Sequence, residues 1–277
     1  MSRIHIVTMP SEVLRPDSLI SRLAEYWKEQ GHGLSVGPAT VLEADIGLMH
    51  VDRTWVPAAA VPANPAAIPL LNGRVLDISK RRISANLLGP DSAHDGPVII
   101  KTDANAFGKP ELRGLSRLGF QRLRRRLSGR LPWRLLRDLP PGTYPVLDRL
   151  AEVPDWVWRR DDLVVERFCP EIAGDEFVLR LWLFFGDREY GVRLFSREPV
   201  VKVANMTRYE YLDAVPDSLR EARQKLGMAF GKFDYVMVDG RAVLLDVNKT
   251  PTVSARARSA NQANLAAGLA HYLGRPK

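Results

Sequence analysis

Asp234, Asp246 and Asn248 stand in the stretch 231–251, GKFDYVMVDGRAVLLDVNKTP. Two carboxylates and a carboxamide oxygen make a hard-oxygen set. Magnesium takes such ligands and completes its octahedron with water and phosphate oxygens. Asp239-Gly240 is a strong turn dipeptide between two apolar runs, 233–238 and 242–248, so the stretch reads as a hairpin. A period of two puts Asp246 and Asn248 on one face of their strand. The turn brings Asp234 back towards them. Val243, Leu244, Leu245 and Val247 make the second arm core-like, and ionised groups there need partners or a metal. The residues therefore predict a magnesium-nucleotide site; the competing reading is the polar face of a surface strand.

Cations that could meet phosphates lie at the ends of apolar runs. Lys101 closes PVIIK and precedes TDANAFGKPE, a polar, turn-rich loop containing Gly108. Lys202 in PVVKV and Lys232 in GKFDY are alternatives for the same role. Lysine neutralises phosphate as a compact point charge, and arginine offers a planar fork to phosphate or carboxylate. His5, His32, His50, His94 and His271 show no ligand spacing. The chain has no Ser-His-Asp order, no G-x-S-x-G elbow and no G-x-x-x-x-G-K-[ST] loop. Trp55, Trp133, Trp156, Trp158 and Trp182 read as packing residues.

The elements that must carry these residues follow from the periodicities. Residues 3–8 form an opening strand. Residues 18–30 have apolar side chains at helical spacing (Leu19, Leu23, Tyr26, Trp27) and stop at Gly31 and Gly33. Residues 34–36 and 46–51 are the next strands, a strand–helix–strand order that argues for a small α/β lobe. Residues 58–69, rich in Ala and Pro, read as a loop or boundary. A short helix is expected over 80–88 and strands over 97–101, 144–147 and 163–168. An antiparallel hairpin is expected over 177–185 and 190–195, with 200–203 continuing its sheet. A helix is expected over 218–230 and an amphipathic one over 261–273. The expected class is α+β with mainly antiparallel late strands.

Composition bounds the function. The 277 residues suffice for a substantial core, and 45% hydrophobic with 26% charged residues is ordinary for a globular chain. No apolar run approaches the roughly 20 residues of a membrane span, and the N-terminal residues show no signal-peptide pattern. The single cysteine, Cys169, excludes an intrachain disulfide and cysteine-based metal sites, so a cytoplasmic location is expected. The net charge of +8 is concentrated in 112–139, which holds Arg113, Arg117, Arg122, Arg124, Arg125, Arg126, Arg130, Arg134 and Arg137. This segment reads as a solvated helix face or as a patch for an anionic substrate. Nucleic acid ranks third, since no recognition motif accompanies the arginines.

Strand, Asp-Gly turn, strand and D-V-N-K-T-P together resemble the metal-binding end of the ATP-grasp superfamily, with Asp234, Asp246 and Asn248 matching its ligands one by one. The resemblance covers about 74–252 and implies further roles. Lys80 in DISKRRIS resembles the lysine before the central lobe. Lys101 resembles the strand lysine before the phosphate-covering loop. Glu166, in LVVERFCPE, resembles the hinge acid that meets the adenine amine, with Arg167 and Phe168 completing the hinge. Glu171 or Glu176 would take the ribose hydroxyls. Arg180, Arg193 and, by position, Lys202 would face the transferred phosphate or acid substrate. The loop after Lys101 departs from the pattern, having one glycine before Lys109, and the arginine-rich segment has no counterpart.

The resemblance implies an N-terminal α/β lobe over 1–72 and an ATP-grasp-like domain over 73–277, with a central part over 73–165 and a C-terminal part over 166–277. It also implies an ATP- and Mg2+-dependent ligase, Mn2+ serving in place of Mg2+, that joins a carboxylate to an amine through an acyl phosphate. A kinase on the same scaffold and a non-catalytic nucleotide- or anion-binding protein are the alternatives. The expected substrate is a small molecule or peptide, an anionic one included, with no membrane partner. Oligomeric state is open, a homodimer included.

Overall fold

A computed structural model of the chain describes residues 1–10, 12–111, 132–140, 142–253 and 259–273. Most of the arginine-rich segment, 112–131, lies outside the described residues.

The chain opens on a parallel sheet. Strand β1 (Arg3–Val7) buries Ile4, Ile6 and Val7, and helix α1 (Leu19–Glu29) returns the chain to β2 (Gly33–Gly37). Strands β3 (Ile46–Met49) and β4 (Leu70–Leu71) join on the other side, giving the order β2-β1-β3-β4. Helix α1 starts where the Ser18 side chain accepts from Ser21 N. It ends before Gly31, whose φ of 84° suits glycine. Its buried stripe is Leu19, Ile20, Leu23, Ala24 and Trp27. Fully burying such side chains contributes about 1.5–3 kcal/mol each.

The second sheet is antiparallel. It follows a single helical turn, α2 (Lys80–Ile83), and contains β5 (Leu87–Leu88), β6 (Val98–Thr102), β7 (Val146–Leu147) and β8 (Leu163–Arg167) in the order β5-β8-β6-β7. The helix expected over 80–88 stops early. Ser84 is extended and Leu87–Leu88 is drawn into pairing with β8. Short helices α3 (Trp133–Leu136) and α4 (Asp155–Trp158) cover this sheet, whose core holds Val98, Ile100, Val157, Leu163 and Val165.

The third sheet is the largest. Strands β9 (Glu171–Ala173), β10 (Glu176–Phe185), β11 (Arg188–Ser196), β12 (Arg208–Leu212), β13 (Phe230–Val238) and β14 (Arg241–Asn248) pair antiparallel in the path β12-β11-β10-β13-β14, with β9 on β10. Both expected hairpins form. Residues 200–203 do not continue the sheet; Lys202 N bonds Asn205 Oδ1, the chain turns, and β12 becomes the edge. Helix α5 (Asp217–Leu226) ends at left-handed Gly227, so Phe230 opens β13 instead of closing a helix. The last helical stretch divides into α6 (Ala260–Ala267) and α7 (Ala270–Leu273).

The first and third sheets share one core. Ile4, Ile6, Leu23, Trp27, Ile46 and Leu48 pack with Leu183, Phe185, Phe230, Leu265 and Leu269. Trp27, fully buried, donates its indole N–H to Ala266 O at 2.9 Å, so α1 and α6 are pinned together. Asn72 completes the junction, donating to Phe230 O and accepting from Ala229 N at 2.8 and 2.9 Å. The class is α+β. Among the described residues no helix is long and apolar enough to cross a membrane.

Candidate active site

The hairpin β13–β14 builds the centre of the site. From the Asp239-Gly240 turn the pairing runs Val238↔Arg241 down to Tyr235↔Leu244, and a regular ladder would then set Asp234 opposite Leu245. The register slips by one residue there, so Asp234 faces Asp246. The slip is a β-bulge. It also lets two consecutive residues, Leu245 and Asp246, line one cavity, which strict alternation forbids.

Two carboxylates directly opposite each other repel unless a cation intervenes. Each has its own. Lys232, two residues before Asp234 on the same strand face, lies 2.7 Å from Asp234 Oδ1 and donates to Oδ2 at 3.1 Å. Lys80, at the first position of α2, lies 2.6 Å from Asp246 Oδ1. Burial pulls the Lys80 ammonium down, but Asp246, helped by Tyr144 and Glu166, more than reverses this and Lys80 sits above the ordinary lysine value. Burial raises the Asp234 carboxyl; Lys232 pulls against it and Asp246 adds to it. Lys80 also donates to Asn105 Oδ1 at 2.7 Å, while Asn105 Nδ2 holds Val247 O at 2.6 Å and Asn105 N holds Thr54 Oγ1 at 2.9 Å. One asparagine thus ties the loop after β6 to β14 and to the loop after β3.

The carboxylates open onto a cavity of about 300 Å³. Its walls come from Lys80 and Lys101, from the connection Arg167, Phe168, Cys169, Pro170 and Glu171, and from Val178, Lys202, Val236, Leu245, Asp234 and Asp246. An apolar slot thus runs along the β8–β9 connection and ends in charge. The volume is at the lower end of the range for small-molecule sites.

Of the residues singled out from sequence, Lys80, Lys101, Arg167, Phe168, Glu171, Lys202, Asp234 and Asp246 converge on this cavity. The others stand off its lining. Glu166 is fully buried beneath it and pairs with Lys101 at 2.5 Å. Glu176 accepts from Thr207 and from Arg208, at the start of β12. Arg180 forks onto Glu171, its Nε within 2.9 Å of both oxygens and its Nη2 2.6 Å from Oε1. Glu171 also accepts Met237 N at 2.7 Å, which ties the connection to β13. Arg193 pairs with Glu210. Asn248 turns its Oδ1 to Thr250 N at 2.8 Å, the hydrogen bond that shapes the exit from β14.

Sequence reasoning passed over Phe107 and Tyr144. Both line the cavity, their rings stacked 4.3 Å apart, and Lys109 and Lys202 lie 5.5 and 5.4 Å from the Phe107 ring. Ala106 and Phe107 have φ of 49° and 60°, a conformation that costs a non-glycine residue about 1–3 kcal/mol. The only signal was an aromatic beside Gly108 in an otherwise polar loop.

The donor set fits a divalent cation that is completed by phosphates. Asp234 Oδ1 is buried without a hydrogen bond of good geometry, although Lys232 is near. Two carboxylates are what magnesium takes when phosphate and water supply the rest. Among the described residues no cluster of three or more His, Cys, Asp or Glu could hold a metal by itself.

No protein-family model and no curated protein sequence matches the chain. Solved structures do. A RimK-domain ATP-grasp protein from Sphaerobacter thermophilus superposes with a TM-score of 0.51 at 14% identity, covering 98% of this chain and all of that one. The macrocyclase MdnC of Microcystis aeruginosa, solved with its precursor peptide MdnA, gives a TM-score of 0.51 at 10% identity, covering 99% of this chain and all of that one. At these identities the likeness concerns architecture, and it extends over nearly the whole chain: the protein has the ATP-grasp fold.

Proposed function

We propose that the protein is an ATP- and magnesium-dependent ligase that joins a carboxylate to an amine. The carrying observation is the Asp234–Asp246 pair, set face to face by the bulge at the floor of the cavity, with lysines at each carboxylate. The ATP-grasp architecture shared with a RimK-domain protein and with a macrocyclase solved with its precursor peptide supports the same reading.

In this reading the adenine lies along the apolar wall of Phe168, Cys169, Pro170 and Val178, and Lys101 and Lys202 meet the phosphates. Asp234 and Asp246 hold magnesium, with Asn248 joining them by rotation of its carboxamide; bound there, the ion would screen the phosphate charge. The substrate carboxylate oxygen attacks the γ-phosphorus, and the bond to the β-phosphate oxygen breaks as ADP leaves. The amine nitrogen then attacks the acyl carbon of the acyl phosphate, inorganic phosphate departs and the amine loses a proton. The chain supplies positioning and charge compensation; no covalent enzyme intermediate is needed.

The test is phosphate release and product mass across amino acids, peptides and sugar acids paired with amines. A ligase gives ADP, free phosphate and a product equal to acid plus amine minus water. A phosphorylated acceptor with no free phosphate would replace the ligase by a kinase. Asp246→Asn should lose turnover by at least about two orders of magnitude, the scale of losing one electrostatic stabiliser. Unchanged turnover would remove the assignment.

A further inference from the structure

The Asp234–Asp246 pair is already compensated. Lys232 and Lys80, from different elements, each stand within 2.7 Å of one carboxylate. Two negative charges and two positive charges sum to zero over these four side chains. Neither lysine is a loose surface residue. The Lys80 side chain is 4% exposed and is fixed by Asn105, which is itself bound to β14. Lys232 is 21% exposed and stands two residues from Asp234 on the same face of one strand.

A free divalent cation approaching the pair would meet two ammonium groups at hydrogen-bond range of its prospective ligands. A nucleotide changes the balance, because its phosphates offer the lysines new anionic partners and release the carboxylates. We infer that Lys80 and Lys232 are resident counter-cations that exclude a free divalent metal from the Asp234–Asp246 pair, so that the metal enters only together with nucleotide phosphates. The inference rests on the magnesium-nucleotide reading of this pair and adds a binding order to it. By linkage, nucleotide must tighten metal binding by the same factor as metal tightens nucleotide binding.

The experiment measures Mn2+ binding to the full chain by electron paramagnetic resonance, alone and with a non-hydrolysable ATP analogue, which reads the metal and not turnover. Wild type should bind Mn2+ at least about a hundredfold more weakly without the analogue, towards the upper end of ordinary coupling between two ligands. Lys232→Met, and independently Lys232→Gln, should bind Mn2+ alone at least about tenfold more tightly than wild type. Lys232→Arg, which keeps the charge, should retain the exclusion. Wild type that binds Mn2+ equally with and without analogue overturns the inference while leaving the nucleotide site standing. So do folded Met and Gln variants whose Mn2+ affinity alone equals that of wild type. If no Mn2+ binds to any form even with the analogue, the magnesium-nucleotide reading itself fails and the inference falls with it.

Discussion

Lys101 and Glu166 lie 2.5 Å apart with side chains only 9% and 1% exposed, and this pair carries the sharpest stability prediction. Among the described residues Glu166 Oε1 is buried with no hydrogen-bond partner, and the carboxylate is ion-paired to Lys101, with the Lys80 charge farther off. Glu166→Gln removes the negative charge and leaves the ammonium of Lys101, 9% exposed at the cavity wall, without its ion-pair partner. Breaking a buried pair this way costs about 3–5 kcal/mol. At about 2–4 °C per kcal/mol for a chain near this size, the melting temperature should fall by roughly 10 °C. Replacing both partners by apolar residues, Lys101→Met with Glu166→Leu, removes the uncompensated charge. It should return stability to within about 1 kcal/mol of wild type or above it. Urea denaturation of wild type, Lys101→Met, Glu166→Leu and the double variant closes a double-mutant cycle and reads the coupling directly. The reasoning is refuted if Glu166→Gln costs less than about 1 kcal/mol, or if the double variant is no more stable than Glu166→Gln.

Two further predictions concern other parts of the fold. His50 is buried with Nδ1 unpartnered among the described residues, and burial lowers its pKa to about 4, against the pull of Asp52. The unfolded chain therefore takes up a proton near pH 6.5 that the native state refuses, and stability should drain away as pH falls from 6.5 towards 4, by an amount on the order of 3 kcal/mol. His50→Leu should flatten that limb of the urea midpoint against pH, and an unchanged limb would remove His50 as its source. Gly268 is packed so closely that an added Cβ would sit 2.1 Å from Phe185 O, whereas Gly174, with φ of 65°, has open space around it. Gly268→Ala should cost about 3 kcal/mol or more by overpacking against backbone, and Gly174→Ala only about 1–2 kcal/mol of left-handed strain. Equal melting temperatures for the two variants would contradict this.

The parts of the site that were legible in sequence share a cause. Asp239-Gly240 between alternating arms specifies a hairpin locally, and the apolar stripe of α1 specifies a helix locally, so both appear where they were expected. No residue type near Leu245 announces the bulge that brings Asp234 opposite Asp246. Strand β12, RYEYL, looks too polar for a strand because as an edge it leaves Arg208, Tyr209 and Tyr211 exposed. Residues 200–203 look apolar enough, yet Lys202 N donates locally to Asn205 Oδ1 and the segment turns out of the sheet. Glu166 reads from sequence as the hinge acid that would meet the adenine amine, but alternation alone does not say whether its side chain meets the cavity or the lysine beside it. That distinction depends on the register of β8 against β6, where Glu166 pairs with Ile99.

The bond from Trp27 to Ala266 spans 239 positions in the chain. The core around β1, α1 and β3 is finished by Leu265, Ala266 and Leu269, so the last part of its apolar cover is synthesised only near the end of the chain. On the ribosome that core must wait for about 240 further residues. At roughly 5–20 residues per second that is a delay of about 10–50 s. For that interval the Trp27 indole N–H lacks the carbonyl that it meets in the folded chain, and the part of the core that α6 covers stays open.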